Sequence, residues 1–258
     1  MLSSISSAGV LQSMPKLALA IAGRVITQLR RDHRTLGLIL VVPVVVMTLI
    51  GYSMPNRNSQ LEITAPALIA MMALFFSFLL TGISFLRERS QGTMERLMVS
   101  PVSRLDIVLG YLLGFMVFAL IQTLIIFFFT VWIFNVPYKG ALWEILVFQM
   151  AIVIGSVTLG IFISTFAKNE FQMVQFIPLV IVPQVFLGGV LWPVEQMNGF
   201  LQGVSNFMPL KYAVEGLRGI MRQGQSLGDV GNDLLFLLGF AVITSTLAAL
   251  SLRRGASG

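Results

Sequence analysis

The sequence predicts an all-α membrane protein with six transmembrane helices, and three observations predict it. Only 11% of its 258 residues are charged and 56% are hydrophobic, whereas soluble chains are about 25% charged. The hydrophobic residues fall in long blocks, near the roughly 20 residues that cross hydrocarbon at about 1.5 Å each. Six such blocks occur, at 36–54, 65–86, 110–134, 145–166, 174–192 and 234–252, and none holds an Asp, Glu, Lys, Arg or His. The whole chain therefore reads as one transmembrane domain, 1–258.

Residues 15–34 precede the first block. Pro15 suits a first helical position, and Leu17, Ile21, Val25 and Leu29 recur every fourth residue, with Lys16, Arg24, Arg31 and Arg34 off that stripe. The pattern is that of an amphipathic helix lying at the membrane interface. The short apolar run Leu17–Ala22 is too brief for a secretory h-region, so no cleaved targeting segment is expected.

Blocks one and two, and blocks three and four, are joined by short connections and form hairpins. Between blocks two and three, 87–104 is a charged loop. Gly92 permits a tight turn, Thr93 suits an N-cap, and Ser100-Pro101 ends a short helix that carries apolar Leu97 and Met98. Ser103 and Asp106 have capping-box spacing for the third span. Pro178 and Pro183 interrupt block five, and Gly188-Gly189 follow, so this span is expected to be broken and to supply a hinge. The outer region 194–233 is too long for a hairpin. One helix is expected over 194–207 and another from Pro209, with Leu210, Val214, Leu217 and Met221 on one face. Gly110 and Gly114, like Ser156 and Gly160, have spacing for close helix approach, within the chain or between copies.

Twelve of the 17 Lys and Arg residues fall on one side of this layout, including Lys16, Arg24, Arg30, Arg31, Arg87, Arg89 and Arg254. That side should be cytoplasmic, which places both termini inside, and the chain is expected to be a multi-pass protein of the plasma (inner) membrane. The net charge of +6 thus orients the chain in a lipid bilayer and does not point to nucleic acid.

Several functions are disfavoured. There is no cysteine for thiolate chemistry, and no metal site is expected. The single histidine, His33, sits in a basic cluster, and no base accompanies the span serines, so no catalytic residue is assigned. No ionisable group lies within a span, as ion-coupled transporters usually require. No Gly-Lys dipeptide exists to begin a P-loop, so any ATP must be hydrolysed by another chain. Within the spans Gln122 and Gln184 are polar points, and Phe75 and Phe78 are candidates to line a substrate path.

The run Arg87-Glu88-Arg89-Ser90-Gln91-Gly92-Thr93-Met94-Glu95-Arg96-Leu97-Met98-Val99-Ser100-Pro101 resembles the cytoplasmic loop of type-2 ABC exporter permeases: Arg-Glu, a few residues, Gly-Thr-x-Glu-x-Leu, then Ser or Thr before Pro. Phe186 to Met197 and Met208 to Arg218 are similar to the fifth span and re-entrant outer segment of that family. The resemblance implies that the loop is a coupling helix seated on a nucleotide-binding ABC ATPase subunit, with that role at Glu88, Gly92, Thr93, Glu95, Leu97 and Pro101. It also implies ATP and Mg in that partner, none in this chain, and a dimer with a second permease copy or a related permease. The expected activity is export of a hydrophobic or amphipathic substrate (a drug, lipid or lipid-linked glycan) by alternating access. The alternative is an ATP-independent secondary transporter or channel.

Overall fold

The computed structural model describes residues 7–54, 57–93 and 103–254, and among these every regular element is helical. Helix α1 spans Ser7–Arg31, α2 His33–Ser53, α3 Arg57–Ser90, α4 Arg104–Ile133, α5 Leu142–Ser164 and α6 Glu170–Leu187. A 3-10 turn at Val194–Gln196 leads to α7 (Gly199–Ser205), α8 (Pro209–Arg218), a π turn at Gly219–Gln223 and α9 (Gly231–Arg254). Six helices are long and apolar enough to cross a membrane: α2, α3, α4, α5, α6 and α9. They correspond to the six apolar blocks.

The bundle is built around α3 and α5, whose apolar windows are mostly buried, while α2, α6 and α9 expose most of theirs. Close approach of the two central helices depends on Gly160: a Cβ there would stand 2.9 Å from the Phe78 carbonyl oxygen and 3.0 Å from Thr81 Cβ. One apolar cluster runs along α3 from Leu61 to Phe78 and on to Leu86, and takes in Phe148, Met173 and α8. A second gathers around Phe85, Tyr111, Phe115 and Val157.

Helix α1 buries Ala18, Ile21, Ala22, Val25 and Leu29, and α4 is the element it packs against. A Cβ on Gly110 or Gly114 would lie 2.7 Å from Ile21 Cβ or Val25 Cβ respectively. These small residues therefore serve a contact within the chain, and the amphipathic stripe of α1 is covered by protein. The helix starts ahead of Pro15 and stops at Arg31, short of residue 34, because Asp32 turns the chain. The Asp32 carboxylate accepts hydrogen bonds from the Thr35 amide (3.1 Å) and hydroxyl (2.5 Å) and caps α2.

At the head of α4 the capping box is present: the Ser103 hydroxyl accepts from the Asp106 amide, and Asp106 accepts from the Ser103 amide. Helix α6 begins at Glu170, capped by Asn169, and continues through both Pro178 and Pro183. The expected interruption lies instead at Gly188, whose amide donates to the Gln184 carbonyl (2.6 Å), and at Gly189, whose φ of +73° suits glycine. Residues 188–192 form turns, so the helix ends before the 192 boundary read from the sequence. The segment 194–207 divides into the 3-10 turn and α7.

Helix α8 starts at Pro209, as its position predicts, and buries Leu210, Ala213, Val214 and Leu217. Its Gly216 faces Phe148 so closely that a Cβ would meet the ring at 2.1 Å. Tyr212 stacks on Phe236 of α9 at 3.7 Å, and the Arg218 guanidinium donates to the Gly189 carbonyl at 3.1 Å. Helix α8 is thus inserted at the outer end between α3, α5 and α9.

Candidate functional site

The end of α3 carries Arg87, Glu88 and Arg89, and helical geometry sends successive side chains about 100° apart. Each reaches a different part of the bundle. Arg87 donates to Glu170 at the head of α6 (2.7 and 3.2 Å) and to the Thr35 hydroxyl of α2 (3.4 Å), and lies 3.6 Å from Asp32. Glu88 is 4% exposed; it pairs with Arg24 of α1 and accepts a hydrogen bond from the Tyr111 hydroxyl of α4 at 2.8 Å. Arg24 also donates to that hydroxyl at 3.0 Å. Arg89 donates to the Ser164 carbonyl at the end of α5 (2.7 Å). Three consecutive side chains therefore tie the end of α3 to all five of the other helices that meet here.

The electrostatics suit a junction. Bonds from the Thr35 hydroxyl and amide, joined by the charge of Arg87, hold the Asp32 carboxyl below the usual carboxylate range. Beside the junction a cleft of about 220 Å³ opens between α1, α3 and α4, lined by Val25, Gln28, Leu29, Ser84, Glu88 and Phe115 among others. Beyond Ser90 the chain turns sharply: the Gly92 amide donates to the Arg89 carbonyl (3.1 Å), and Gly92 takes a φ of +70°. Thr93 has helical backbone geometry and is half-buried. Glu95, Leu97 and Pro101 lie outside the described residues.

The other sequence candidates are dispersed. Phe78 and Gln122 are 0% and 1% exposed inside the bundle, and Phe75 is half-buried against Phe76. Gln184 is buried, with its amide donating to the Val180 carbonyl at 3.3 Å. Pro178, Pro183, Gly188 and Gly189 all belong to α6 and its outer end. None of these eight residues lines the cleft beside the junction. Among the described residues no three His, Asp or Glu side chains are grouped to hold a metal.

Sequence reasoning assigned no site role to Arg87 or Arg89, which it read only as basic residues of the loop, and missed Arg24, Tyr111, Asp32, Thr35 and Glu170 as companions at the junction. Their partners are up to 87 positions away in the chain, and periodicity carries no trace of such pairings. The available signal was an acidic Glu88 set between arginines at a span end.

Comparison with known proteins adds to this geometry. Residues 16–221 match the ABC-2 type transporter family. The chain is 30% identical over 190 residues to a probable multidrug ABC transporter permease, YbhR, of Escherichia coli, covering 73% of this chain and 51% of that protein. It is 27% identical to the linearmycin resistance permease protein LnrN of Bacillus subtilis, covering 77% of this chain and 52% of that one. To ABC transporter G family member 20 of Dictyostelium discoideum it is 25% identical, over 81% of this chain and 29% of the relative. The chain thus spans about half the length of its bacterial relatives and less of the eukaryotic one.

Proposed function

Because the chain belongs to the ABC-2 type transporter family, we propose that it is the membrane-spanning permease subunit of an exporter driven by separate ATP-binding subunits, which hold the ATP and Mg. The observation that carries this reading is the junction at the root of the 87–104 loop. Arg87, Glu88 and Arg89 link the segment entering that loop to α1, α2, α4, α5 and α6. A force that reaches the root of the loop at the end of α3 would be passed to five other helices. In this reading Gly92 and Thr93 shape the entry to the coupling helix, while Glu95, Leu97 and Pro101 belong to the docking surface itself.

Both termini then lie in the cytoplasm, since the basic side of the chain carries this junction. A second permease copy, or a related one, would complete the assembly. The broad apolar face of α6, with Phe171, Leu179, Val182 and Phe186 exposed, is available to it or to lipid. The cargo is a hydrophobic or amphipathic molecule, because no charged side chain lies within the six apolar blocks to hold a polar one. The names of YbhR and LnrN, a multidrug permease and a resistance permease, agree with that class.

The test is purification of the tagged chain from its native host in nanodiscs, with co-purifying chains identified by mass spectrometry. A stoichiometric P-loop subunit, lost on Glu95→Ala and Leu97→Ala substitution, is the expected result. Recovery of the chain alone, with passive flux in liposomes, would replace the exporter with an ATP-independent transporter or channel.

A further inference from the structure

Glu88 ends a polar stripe on α3. Glu88, Ser84, Thr81 and Ser77 follow at intervals of four, three and four residues, which sets them above one another on one helix face. The inner end of the stripe opens on the cytoplasmic cleft, which Ser84 and Glu88 line with Phe115. The outer end is enclosed. Ser77 and Thr81 are 0% exposed, and neither hydroxyl has a hydrogen-bond partner in the protein.

Two neighbouring helices bring polar groups to the depth of Ser77. Glu88 is bonded to Tyr111 of the antiparallel α4. Ser77 lies eleven residues outward of Glu88, and Gln122 eleven outward of Tyr111; eleven residues make about three turns and about 16 Å. Ser77 and Gln122 are therefore level, and each stays in phase with its own end of the Glu88–Tyr111 pair. Helix α5 runs parallel to α3, with Gly160 abutting Thr81, so Ser156, one turn outward of Gly160, is level with Ser77. Gln122 and Ser156 are each 1% exposed, and both amide atoms of Gln122 and the hydroxyl of Ser156 are unpartnered.

Several hydroxyls elsewhere in the spans behave differently, although that of Thr123, next to Gln122 on α4, is also buried and unpartnered. Thr48, Thr130, Ser164 and Thr244 each donate to a carbonyl three or four residues back in their own helix. A buried polar group left unpaired is costly, and several at one depth would be a heavy burden in a dry core. A water molecule held by two to four polar groups removes that cost, and this level offers two hydroxyls and a complete amide.

We propose that the α3 stripe is a water path inside a single subunit, leading from the cytoplasmic cleft to a hydrated polar site formed by Ser77, Gln122 and Ser156 in the middle of the bundle. The path stands on the geometry of this chain and is independent of ATPase coupling.

The chain has no cysteine, so single substitutions report alone. Ser84→Cys, Thr81→Cys, Ser77→Cys and Ser156→Cys, with Ala70→Cys as a fully buried control, would be treated in nanodiscs with a small water-soluble methanethiosulfonate. Only a thiol that reaches water ionises and reacts readily, so the three deep positions should react at least about tenfold faster than Ala70→Cys and more slowly than Ser84→Cys. Adding Gln122→Leu should slow Ser77→Cys and leave Ser84→Cys unchanged. Reaction at Ser84→Cys with the deeper thiols no faster than the control overturns the proposal. Should the cysteine variants misfold, thermal unfolding of Gln122→Leu decides. A lower melting temperature supports a hydrated amide, and a higher one, from removal of a dry unpaired amide, overturns it.

Discussion

Glu88 is the most constrained residue of the junction, because a carboxylate buried at the membrane edge is stable only with its partners in place. Arg24 supplies the charge and Tyr111 a hydroxyl at 2.8 Å. Tyr111→Phe removes one hydrogen bond and leaves the ion pair, so a loss of about 1 kcal/mol is expected. Glu88→Ala strands both partners, yet the Arg24 side chain is 39% exposed and can turn to water. Its cost should therefore be about 1–3 kcal/mol, below the roughly 3–5 kcal/mol of a fully buried pair. Thermal unfolding of Arg24→Ala, Glu88→Ala and the double variant in nanodiscs checks this. Costs that simply add would show that the two side chains do not act together. Glu215 gives a residue-scale pH prediction. Burial pushes its carboxyl up, ahead of the opposing pull of Lys211. A carboxyl raised by folding favours the fold while protonated, and that contribution is lost as pH rises from the ordinary carboxylate range through the raised value. Glu215→Gln should flatten this fall, and pH-dependent melts of the two proteins should diverge only above that range.

Elements were legible in the sequence wherever one local rule governed them. The absence of charge marked the six spans, Ser103 and Asp106 marked the start of α4, and Pro209 marked the start of α8. Boundaries set by tertiary contacts were not legible. Pro178 and Pro183 read as breaks, yet α6 continues through both and ends only where Gly188 and Gly189 turn the chain. The junction at the end of α3 was half-legible: Glu88 and the turn at Gly92 could be named, but not Arg24, Tyr111 or Glu170, which only the packing of the bundle brings near. The pairing of α1 with α4 has the same origin, and it yields a prediction at this scale. Gly110→Val places a side chain where Ile21 Cβ and the Ala18 carbonyl lie 2.7 and 2.9 Å from its Cβ, so α1 must shift at a cost of about 1–3 kcal/mol. Gly23, on the exposed side of the same helix, has nothing within 4 Å. Gly23→Ala should stabilise α1 by up to about 1 kcal/mol. Equal effects of the two changes on melting would mean that α1 is not packed on α4 in the bilayer.

Across the whole molecule α3 is the element that connects distant parts. At 34 residues it is about 50 Å long; its inner end sits in the junction, its middle packs on α5, and its outer end lies under α8. A displacement at the loop root therefore reaches the outer layer through one rigid helix, while α2 and α6 are tied to that root chiefly through Arg87. The tie is weak as a source of stability, since Arg87 and Glu170 are 39% and 53% exposed, and such pairs contribute about 0–1 kcal/mol. Arg87→Gln should accordingly leave melting nearly unchanged. Its effect should appear in coupling, because α3 could then move without drawing the peripheral helices along. In the proposed exporter, reconstituted in proteoliposomes with its ATPase, ATP hydrolysis should persist while export per ATP falls, and Glu170→Gln should reproduce the defect without adding to Arg87→Gln. Hydrolysis and export declining in the same proportion would assign Arg87 to assembly with the ATPase, whereas unchanged export would leave Glu88 and Arg89 as the connections through which the loop moves the bundle.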